Sequence, residues 1–389
     1  MNRERQRLAS GYFWYFSTVG LFVPYWPPYL ALRGLDPVEI GLVMGVFSAM
    51  RAVGPPAYAH WADVSGRRPA LLQGAALASL ACAGCFYWLD STWSIAVALA
   101  AYSVLWNGVM SVYDAHVLER LGADSGRYGL LRLWGSVGFI VLAILAGPGL
   151  GAAGLDKLPL VLAVLIALTW ASLLGLEQGP ARPGTRPAMP LGPLLADRRV
   201  LAFLAAGFLM VASHGAYYNF FSIRLEQLGY GRAAIGLLWA WAAIAEIGVF
   251  LLARPLLARF SLRSLTVVAL AATSLRWAAL ALWAERPIVV FASQTLHLAS
   301  FGLFHLCSVA IAARLFPRQA ASLGQALHGS VSYGLGGMVG ALTSGWLWRE
   351  VSPAAAFLAG AGVAAAAAFL AAHGLRGLPS RPLDAVENA

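Results

Sequence analysis

The chain has 389 residues, of which 60% are hydrophobic and only 11% are Asp, Glu, Lys or Arg. Soluble domains carry about 25% charged residues, so this composition excludes a protein built from large water-exposed domains. The formal net charge of +10 is scattered between apolar stretches and forms no dense basic patch, which argues against a nucleic-acid partner. We therefore expect an all-α membrane protein.

Twelve apolar runs follow one another along the chain, each close to the ~20 residues that a helix needs to cross a bilayer. They cover residues 9–32, 38–61, 69–89, 92–116, 128–150, 156–176, 199–222, 232–253, 263–283, 286–311, 320–346 and 353–373. The pattern predicts twelve transmembrane helices.

Lys and Arg are unevenly distributed between the loops on the two sides of these predicted helices. With the N-terminus inside, the cytoplasmic segments hold eighteen of the 27 Lys and Arg residues, the outside loops hold six, and three lie within helices. Cytoplasmic loops of membrane proteins are enriched in Lys and Arg. We therefore expect a multi-pass protein of the inner (plasma) membrane with both termini in the cytoplasm.

The longest polar interval is rich in Pro, Gly and Arg and divides the runs six and six. It predicts an N-terminal six-helix half, a cytoplasmic linker, a C-terminal six-helix half and a cytoplasmic tail over residues 1–177, 178–198, 199–375 and 376–389. A displacement of 195 residues also aligns Ile40-Gly41-Leu42 with Ile235-Gly236-Leu237. Two parallel repeats of this kind build a central site near the bilayer midplane in transporters.

The loop after the second run carries a motif. Four residues match the pattern G-x-x-x-D-x-x-G-R-[KR]: Asp63, Gly66, Arg67 and Arg68. Ala59 stands where the pattern has its first Gly. The pattern is the signature loop of the major facilitator superfamily, which the chain therefore resembles. The resemblance implies two pseudo-symmetric six-helix halves that work by alternating access. It also implies a gating role for the motif, in which Asp63 and Arg67 tether the cytoplasmic ends of the halves in one state.

Four further segments resemble the phenylpropionic acid transporter group, near the lactose permease and nucleoside–proton symporter branch. They are residues 132–138, 214–218, 275–277 and 294–297. This resemblance implies a secondary active transporter that takes up a small organic solute together with protons, the first choice being an aromatic carboxylate such as a phenylpropionate-like acid. Two alternatives stay open: a proton-antiport efflux carrier for drug-like molecules, and a symporter of a neutral sugar or nucleoside.

Two residues are candidates for proton coupling. Glu246 lies about 14 residues into the eighth run, and an ionisable residue at such depth is a functional candidate. Burial favours the neutral, protonated form of its carboxyl group, although a structural ion pair is the alternative interpretation. His297 on the tenth run is the second candidate. The lactose permease uses a Glu, an Arg and a His on its corresponding helices, but it also has a Glu three residues after that His, where this chain has Ser300.

Beyond the first two positions of each run, the runs contain three arginines, Arg51, Arg132 and Arg276, against two acids, Glu246 and Asp114. The surplus positive charge favours an anionic substrate. The depths of Asp114 and Arg132 permit a pair, which could contact substrate, act as a gate or form a plain surface salt bridge. The candidate substrate-binding residues are Arg51, Arg276, Gln294, His214, Tyr217, Asp114 and Arg132.

No signature of catalysis or of cofactor binding stands out in the sequence. There is no Walker loop, no nucleophile elbow and no clustered set of metal ligands. Cys82 and Cys85 have C-x-x-C spacing inside an apolar run, which we interpret as helix packing. We expect a protein that is not an enzyme, has no cofactor or metal, and acts as a monomer. Its partners would be a small-molecule substrate, protons and the lipid bilayer.

Overall fold

The computed structural model describes residues 3–122, 127–178, 191–317 and 320–378. These residues form helices and no strand, which confirms the all-α prediction. Residues 179–190 of the predicted linker and residues 379–389 of the predicted tail lie outside the described residues.

The first part of the chain contains seven α-helices. Their bounds are α1 (Arg3–Leu32), α2 (Pro37–Met50), α3 (Gly54–Ser65), α4 (Arg68–Cys85), α5 (Thr92–Leu121), α6 (Tyr128–Ala153) and α7 (Leu158–Leu173). A short 3₁₀ turn over Leu155–Lys157 precedes α7.

The second part contains eleven α-helices and two π-helical stretches. The α-helices are α8 (Leu191–Leu195), α9 (Arg198–Ser213), α10 (Gly215–Gln227), α11 (Arg232–Leu251), α12 (Ala253–Arg259), α13 (Leu262–Trp283), α14 (Pro287–Thr295), α15 (Phe304–Leu315), α16 (Ala321–Gly329), α17 (Gly337–Glu350) and α18 (Pro353–Gly374). The π-helical stretches are Leu298–Leu303 and Ser330–Gly336.

Within the described residues, each of the twelve predicted runs coincides with one of these helices or with two helices in close succession. In the part of the chain that the structure describes, nine helical segments are long and apolar enough to cross a membrane: Pro37–Ser65, Thr92–Leu121, Tyr128–Gly151, Leu155–Leu173, Arg198–Gln227, Arg232–Leu251, Leu262–Trp283, Pro287–Leu315 and Pro353–Gly374. The other three predicted runs fall on α1, on α4 and on α16 with α17. That these three cross the membrane stays a prediction.

The chain forms two compact units. The first comprises Met1–Pro187 with Ser222–Ala240, and the second comprises Ala188–Phe221 with Trp241–Ala389. The predicted boundaries of the two six-helix halves rest on the linker composition and stay a prediction.

In the first unit, α1 and α6 touch along their backbones. A Cβ atom on Gly20 would collide with the Phe139 carbonyl oxygen, and one on Gly138 with the Phe13 carbonyl oxygen. Small residues permit this close approach of membrane helices. The contact holds α1 beside the N-terminal part of α6, where the candidate Arg132 lies.

In the second unit, two glycines with G-x-x-x-G spacing let the chain pack against α9. A Cβ atom on Gly336 would lie 2.6 Å from the Phe208 carbonyl oxygen, and one on Gly340 would lie 2.5 Å from the Ala212 carbonyl oxygen. The apolar core of this unit is formed mainly by side chains of α9, α13, α15 and α18.

The membrane segment of residues 37–65 is interrupted at one of the candidate arginines. Helix α2 ends at Met50, Arg51 opens a three-residue turn, and α3 begins at Gly54. Pro55 and Pro56 follow, and proline both lacks a backbone N–H and disfavours helical geometry in the residue before it. Arg51 therefore occupies a helix end rather than the middle of a continuous helix.

Candidate functional site

Three membrane-helix segments bring four of the predicted residues together in the second unit. Helix α11 supplies Glu246, α13 supplies Arg276, and the segment from α14 into the following π-helical stretch supplies Gln294, His297 and Ser300. Tyr217 of α10 completes this group, which we name the Arg276 cluster. Its members are Tyr217, Glu246, Arg276, Gln294, His297 and Ser300.

Arg276 is the fully buried centre of the cluster. Its Nη1 donates to His297 Nδ1 at 2.9 Å and to Ser300 Oγ at 2.9 Å, and its Nη2 donates to Gln294 Oε1 at 3.1 Å. The guanidinium carbon also lies 4.2 Å from the centre of the Tyr217 ring and 4.5 Å from that of Trp277. An arginine stays charged in a protein, so neutral acceptors and aromatic faces stabilise this charge. Among the described residues, no carboxylate lies within 4.0 Å of it.

The hydrogen bond from Arg276 fixes the tautomer of His297. A guanidinium can only donate, so His297 Nδ1 must accept. A neutral imidazole carries one N–H, and here that proton must sit on Nε2. This nitrogen lies 3.8 Å from Glu246 Oε2. The three side chains therefore form one directed chain from the guanidinium through the imidazole to the carboxyl group.

Glu246 packs tightly against the π-helical stretch. A Cβ atom on Gly302 would lie only 2.9 Å from Glu246 Cγ, so a residue without a side chain is needed at that point. The Glu246 side chain keeps 21% of its surface exposed. Gly302 was not among the residues that the sequence singled out, because nothing in the local sequence distinguishes it from the other glycines of the spans.

Gly302→Ala is therefore expected to disturb Glu246 specifically. The new methyl group must displace Glu246 Cγ or move the backbone, which costs about 1–3 kcal/mol. We expect proton-driven accumulation of substrate to fall by about tenfold, since displacing a functional group by ~1 Å can lower a rate by more than tenfold. The matched control is Gly329→Ala beside the other π-helical stretch, where a Cβ atom meets nothing within 4 Å. Equal accumulation in the two variants would show that this packing is not required.

Two further candidates line the same cluster. Tyr217 donates its hydroxyl hydrogen to Gln294 Oε1 at 2.9 Å, so Gln294 Oε1 accepts from both Tyr217 and Arg276. His214 lies at the junction of α9 and α10, where its Nδ1 is 2.8 Å from the Met210 carbonyl oxygen and its ring meets Trp277 edge-on at 4.8 Å. Tyr217 and His214 are both fully buried. Tyr217 thus belongs to the cluster, and His214 packs at its edge.

A second polar group lies in the first unit, and we name it the Asp114 cluster: Tyr12, Phe16, Asp114, Tyr128 and Arg132. Asp114 Oδ1 accepts from the Tyr12 hydroxyl at 2.6 Å and from the Tyr128 hydroxyl at 2.9 Å. Arg132 lies over the Phe16 ring at 4.0 Å and near the Tyr12 ring at 5.5 Å.

The geometry of the Asp114 cluster differs from a simple ion pair. The sequence allowed a direct contact of Asp114 with Arg132, but among the described residues no carboxylate lies within 4.0 Å of Arg132. The two charges instead contact the same Tyr12 side chain. Tyr128 was not singled out in the sequence, since a tyrosine near a helix end is ordinary there. Arg132 is half-buried, in contrast to Arg276.

Stacked aromatic rings continue from this cluster along α1 and α5. The Tyr15 ring is nearly parallel to that of Trp106, with centres 4.7 Å apart, and Trp106 in turn is nearly parallel to Tyr102 at 6.0 Å. The indole Nε1 of Trp106 is buried and has no hydrogen-bond partner among the described residues. These three rings are buried, so the first unit contains an aromatic stack that adjoins Phe16 of the Asp114 cluster.

The remaining predicted residues are members of neither cluster. Arg51 is half-buried in the turn after α2. In the signature loop, Gly66 ends α3 with a φ of 62°, a left-handed conformation that glycine adopts readily. Arg68 pairs with Asp63 at 3.3 Å and with Glu119 of α5. The sequence did not single out Glu119, and Arg67 lies at the start of α4.

The fold and these buried ionisable clusters define a multi-pass membrane transporter. The chain belongs to the MFS_1 like family, whose family model matches residues 6–359. It is 28% identical to the probable 3-phenylpropionic acid transporter of Escherichia coli (strain K12) over 351 residues, which are 88% of this chain and 90% of the relative. It is 29% identical to the maltose permease of Geobacillus stearothermophilus over 353 residues, 89% of this chain and 88% of the relative. The crystal structure of the nucleoside transporter NupG superposes with a TM-score of 0.84 at 15% identity, covering 96% of this chain and 100% of that one.

Proposed function

We propose that this transporter carries a small aromatic carboxylate into the cell together with protons. The observation that supports it most strongly is the chain of contacts from Arg276 through His297 to Glu246. It links a permanent buried cation to a carboxyl group that can gain and lose a proton within a membrane helix. Protonation of Glu246 would remove the negative charge that faces Arg276 across the imidazole, and so would couple the proton to the electrostatics of the whole cluster.

Glu246, rather than His297, carries the coupled proton in this proposal. A second proton on His297 would have to bind Nδ1, which accepts the hydrogen bond from Arg276. It would also bring two positive charges into contact in a buried environment, which is strongly unfavourable. His297 therefore acts as a neutral bridge that orients Arg276 and Glu246.

The substrate carboxylate binds Arg132 in this proposal. The Nη atoms of Arg276 are engaged and its side chain is fully buried, whereas Arg132 is half-buried and lies over the Phe16 ring at 4.0 Å. The Phe16 ring is itself half-buried, and the aromatic part of the substrate would pack beside it. The similarity to the probable 3-phenylpropionic acid transporter of Escherichia coli agrees with such a substrate.

The same proposal includes roles for further residues, the oligomeric state and the location of the protein. Arg51 and Asp114 would serve substrate binding within the first unit. His214, Tyr217, Arg276 and Gln294 would do so within the second. The signature residues Asp63, Gly66, Arg67 and Arg68 would gate alternating access. The protein would act as a monomer of the inner membrane with both termini in the cytoplasm.

The experiment is transport by the purified protein in sealed liposomes. With the outside more acidic than the inside, 3-phenylpropionate should accumulate inside, and a pH-sensitive dye should report proton entry only when the substrate is present. Maltose and a nucleoside are the competing substrates, because the chain is similar in sequence to a maltose permease and in fold to a nucleoside transporter. Accumulation of maltose or a nucleoside in place of 3-phenylpropionate would overturn the substrate class. Substrate movement against the direction of proton flow would favour the second candidate, proton-antiport efflux.

A further inference from the structure

The first unit contains a surface pocket that lies outside both clusters. Its volume is about 580 Å³, and it is lined by Gln6, Arg7, Ser10, Ala171, Ser172 and Gly175. These residues belong to the N-terminal end of α1 and to the C-terminal end of α7, which are both cytoplasmic in the proposed topology. One lining residue is a cation and none is an acid, so the pocket is suited to a negatively charged group.

The position of the Arg7 guanidinium is set by Gly175. Arg7 Nη1 donates to the Gly175 carbonyl oxygen at 3.2 Å. A Cβ atom on Gly175 would lie 3.0 Å from Nη1 and 3.1 Å from both Cζ and Nε, so the guanidinium plane lies flat over this glycine. A flat guanidinium held in this way leaves further N–H groups for an oxyanion, and arginine recognises phosphate well.

An exposed apolar stripe on α7 leads to the pocket. Leu160, Val164, Leu168 and Ala171 are all exposed and follow each other at helical spacing on one face. From Leu160 to Ala171 the stripe extends ~16 Å at the rise of an α-helix. This is about half of the ~30 Å hydrocarbon thickness of a bilayer, and so about the depth of one leaflet.

The geometry points to a binding site for one anionic phospholipid of the cytoplasmic leaflet, with its phosphate on Arg7 and an acyl chain along the α7 stripe. The Ser10 hydroxyl and the Gln6 amide offer further polar contacts to the headgroup. A basic pocket at the interface is combined here with an apolar stripe of one leaflet's depth. This combination favours a lipid over a soluble phosphate compound, because a soluble compound has no acyl chain to pack along the stripe. This site is independent of substrate and proton binding.

Native mass spectrometry of the purified full-length protein tests the proposal, with phosphatidylglycerol and phosphatidylcholine as probes. We expect the wild type to retain phosphatidylglycerol in preference, and Arg7→Gln to lower that retention by about tenfold, the effect of losing one charge-assisted hydrogen bond. The matched control is Arg5→Gln. It removes the same charge two residues before Arg7, and the Arg5 side chain does not line the pocket. Its retention should stay within about twofold of wild type.

A second variant tests the geometry without changing the charge. Gly175→Ala must push the Arg7 guanidinium off its position, and this is cheap for folding because only the end of a flexible side chain moves. We expect it to weaken phosphatidylglycerol retention as well. Equal losses in Arg7→Gln and Arg5→Gln would indicate unspecific attraction to anionic lipid and overturn the proposal, as would unchanged retention in Arg7→Gln. Displacement of the lipid by glycerol 3-phosphate would identify a soluble phosphate compound as the ligand and would also overturn it.

Discussion

Replacing Glu246 with Gln is expected to abolish substrate accumulation driven by a pH gradient while leaving substrate binding and exchange intact. Glutamine resembles the protonated carboxyl group and keeps an oxygen near His297 Nε2, but it cannot release a proton. A gradient of one pH unit supplies about 1.4 kcal/mol per proton and supports about tenfold accumulation in the wild type. In Glu246→Gln the internal substrate concentration should rise only to the external one.

The matched control for this experiment is Glu226→Gln. Glu226 pairs with Arg232 at 3.1 Å and belongs to neither cluster, so its neutralisation should leave accumulation unchanged. A thermal melting curve of each variant separates lost coupling from lost folding. If Glu246→Gln fails to fold, the carboxylate is a structural counter-ion, because removing one partner leaves a buried charge uncompensated.

Two substitutions of His297 decide between the two candidate proton carriers. His297→Asn keeps an oxygen near the position of Nδ1, where it can accept from Arg276, and it cannot be protonated at physiological pH. If Glu246 carries the proton, His297→Asn should retain more accumulation than His297→Gln, whose amide lies nearer the position of Nε2. Undiminished accumulation in Glu246→Gln together with its loss in both His297 variants would assign the proton to His297 instead.

The sequence could identify Glu246, Arg276 and His297 of the Arg276 cluster because ionisable residues are expensive in a membrane and therefore few, whereas it did not single out Ser300. Glu246, Arg276 and His297 stand out in apolar runs for that reason alone. Their roles relative to one another depend on which atom faces which. The hydrogen bond from Arg276 to Nδ1 fixes the direction of the chain, and neither helical periodicity nor depth in the membrane contains that information.

Other parts of the site use residue types that are common in membrane helices, and these could not be predicted. Gly302 matters because α11 packs against it, and Tyr128 because Asp114 lies within reach of its hydroxyl. The π-helical stretches have no sequence signature of their own. Likewise, equal depth predicted a possible Asp114–Arg132 pair, but depth does not fix the direction in which a side chain extends around its helix. In the structure both groups contact Tyr12 instead.

Replacing Arg132 with Gln is expected to lower the affinity for an aromatic carboxylate by about 10- to 150-fold, which corresponds to the about 1.5–3 kcal/mol of a hydrogen bond to a charged group. Arg132→Lys should keep only part of the wild-type affinity, because lysine keeps the charge but lacks the planar pair of donors that matches a carboxylate. The measurement is the Kd of 3-phenylpropionate by isothermal titration calorimetry. A neutral analogue such as 3-phenylpropanol should bind all three proteins equally, since the substitution removes only the partner of the carboxylate.

Arg120→Gln is the matched control for Arg132, because Arg120 pairs with Glu4 and Glu177 near the end of α5 and belongs to neither cluster. It should bind 3-phenylpropionate with wild-type affinity. The contrasting variant is Arg276→Lys. If folded Arg276→Lys loses affinity for the carboxylate while Arg132→Gln keeps it, the substrate must reach Arg276. In that case the buried cluster has to open on binding, because in this structure its guanidinium already donates to His297, Ser300 and Gln294.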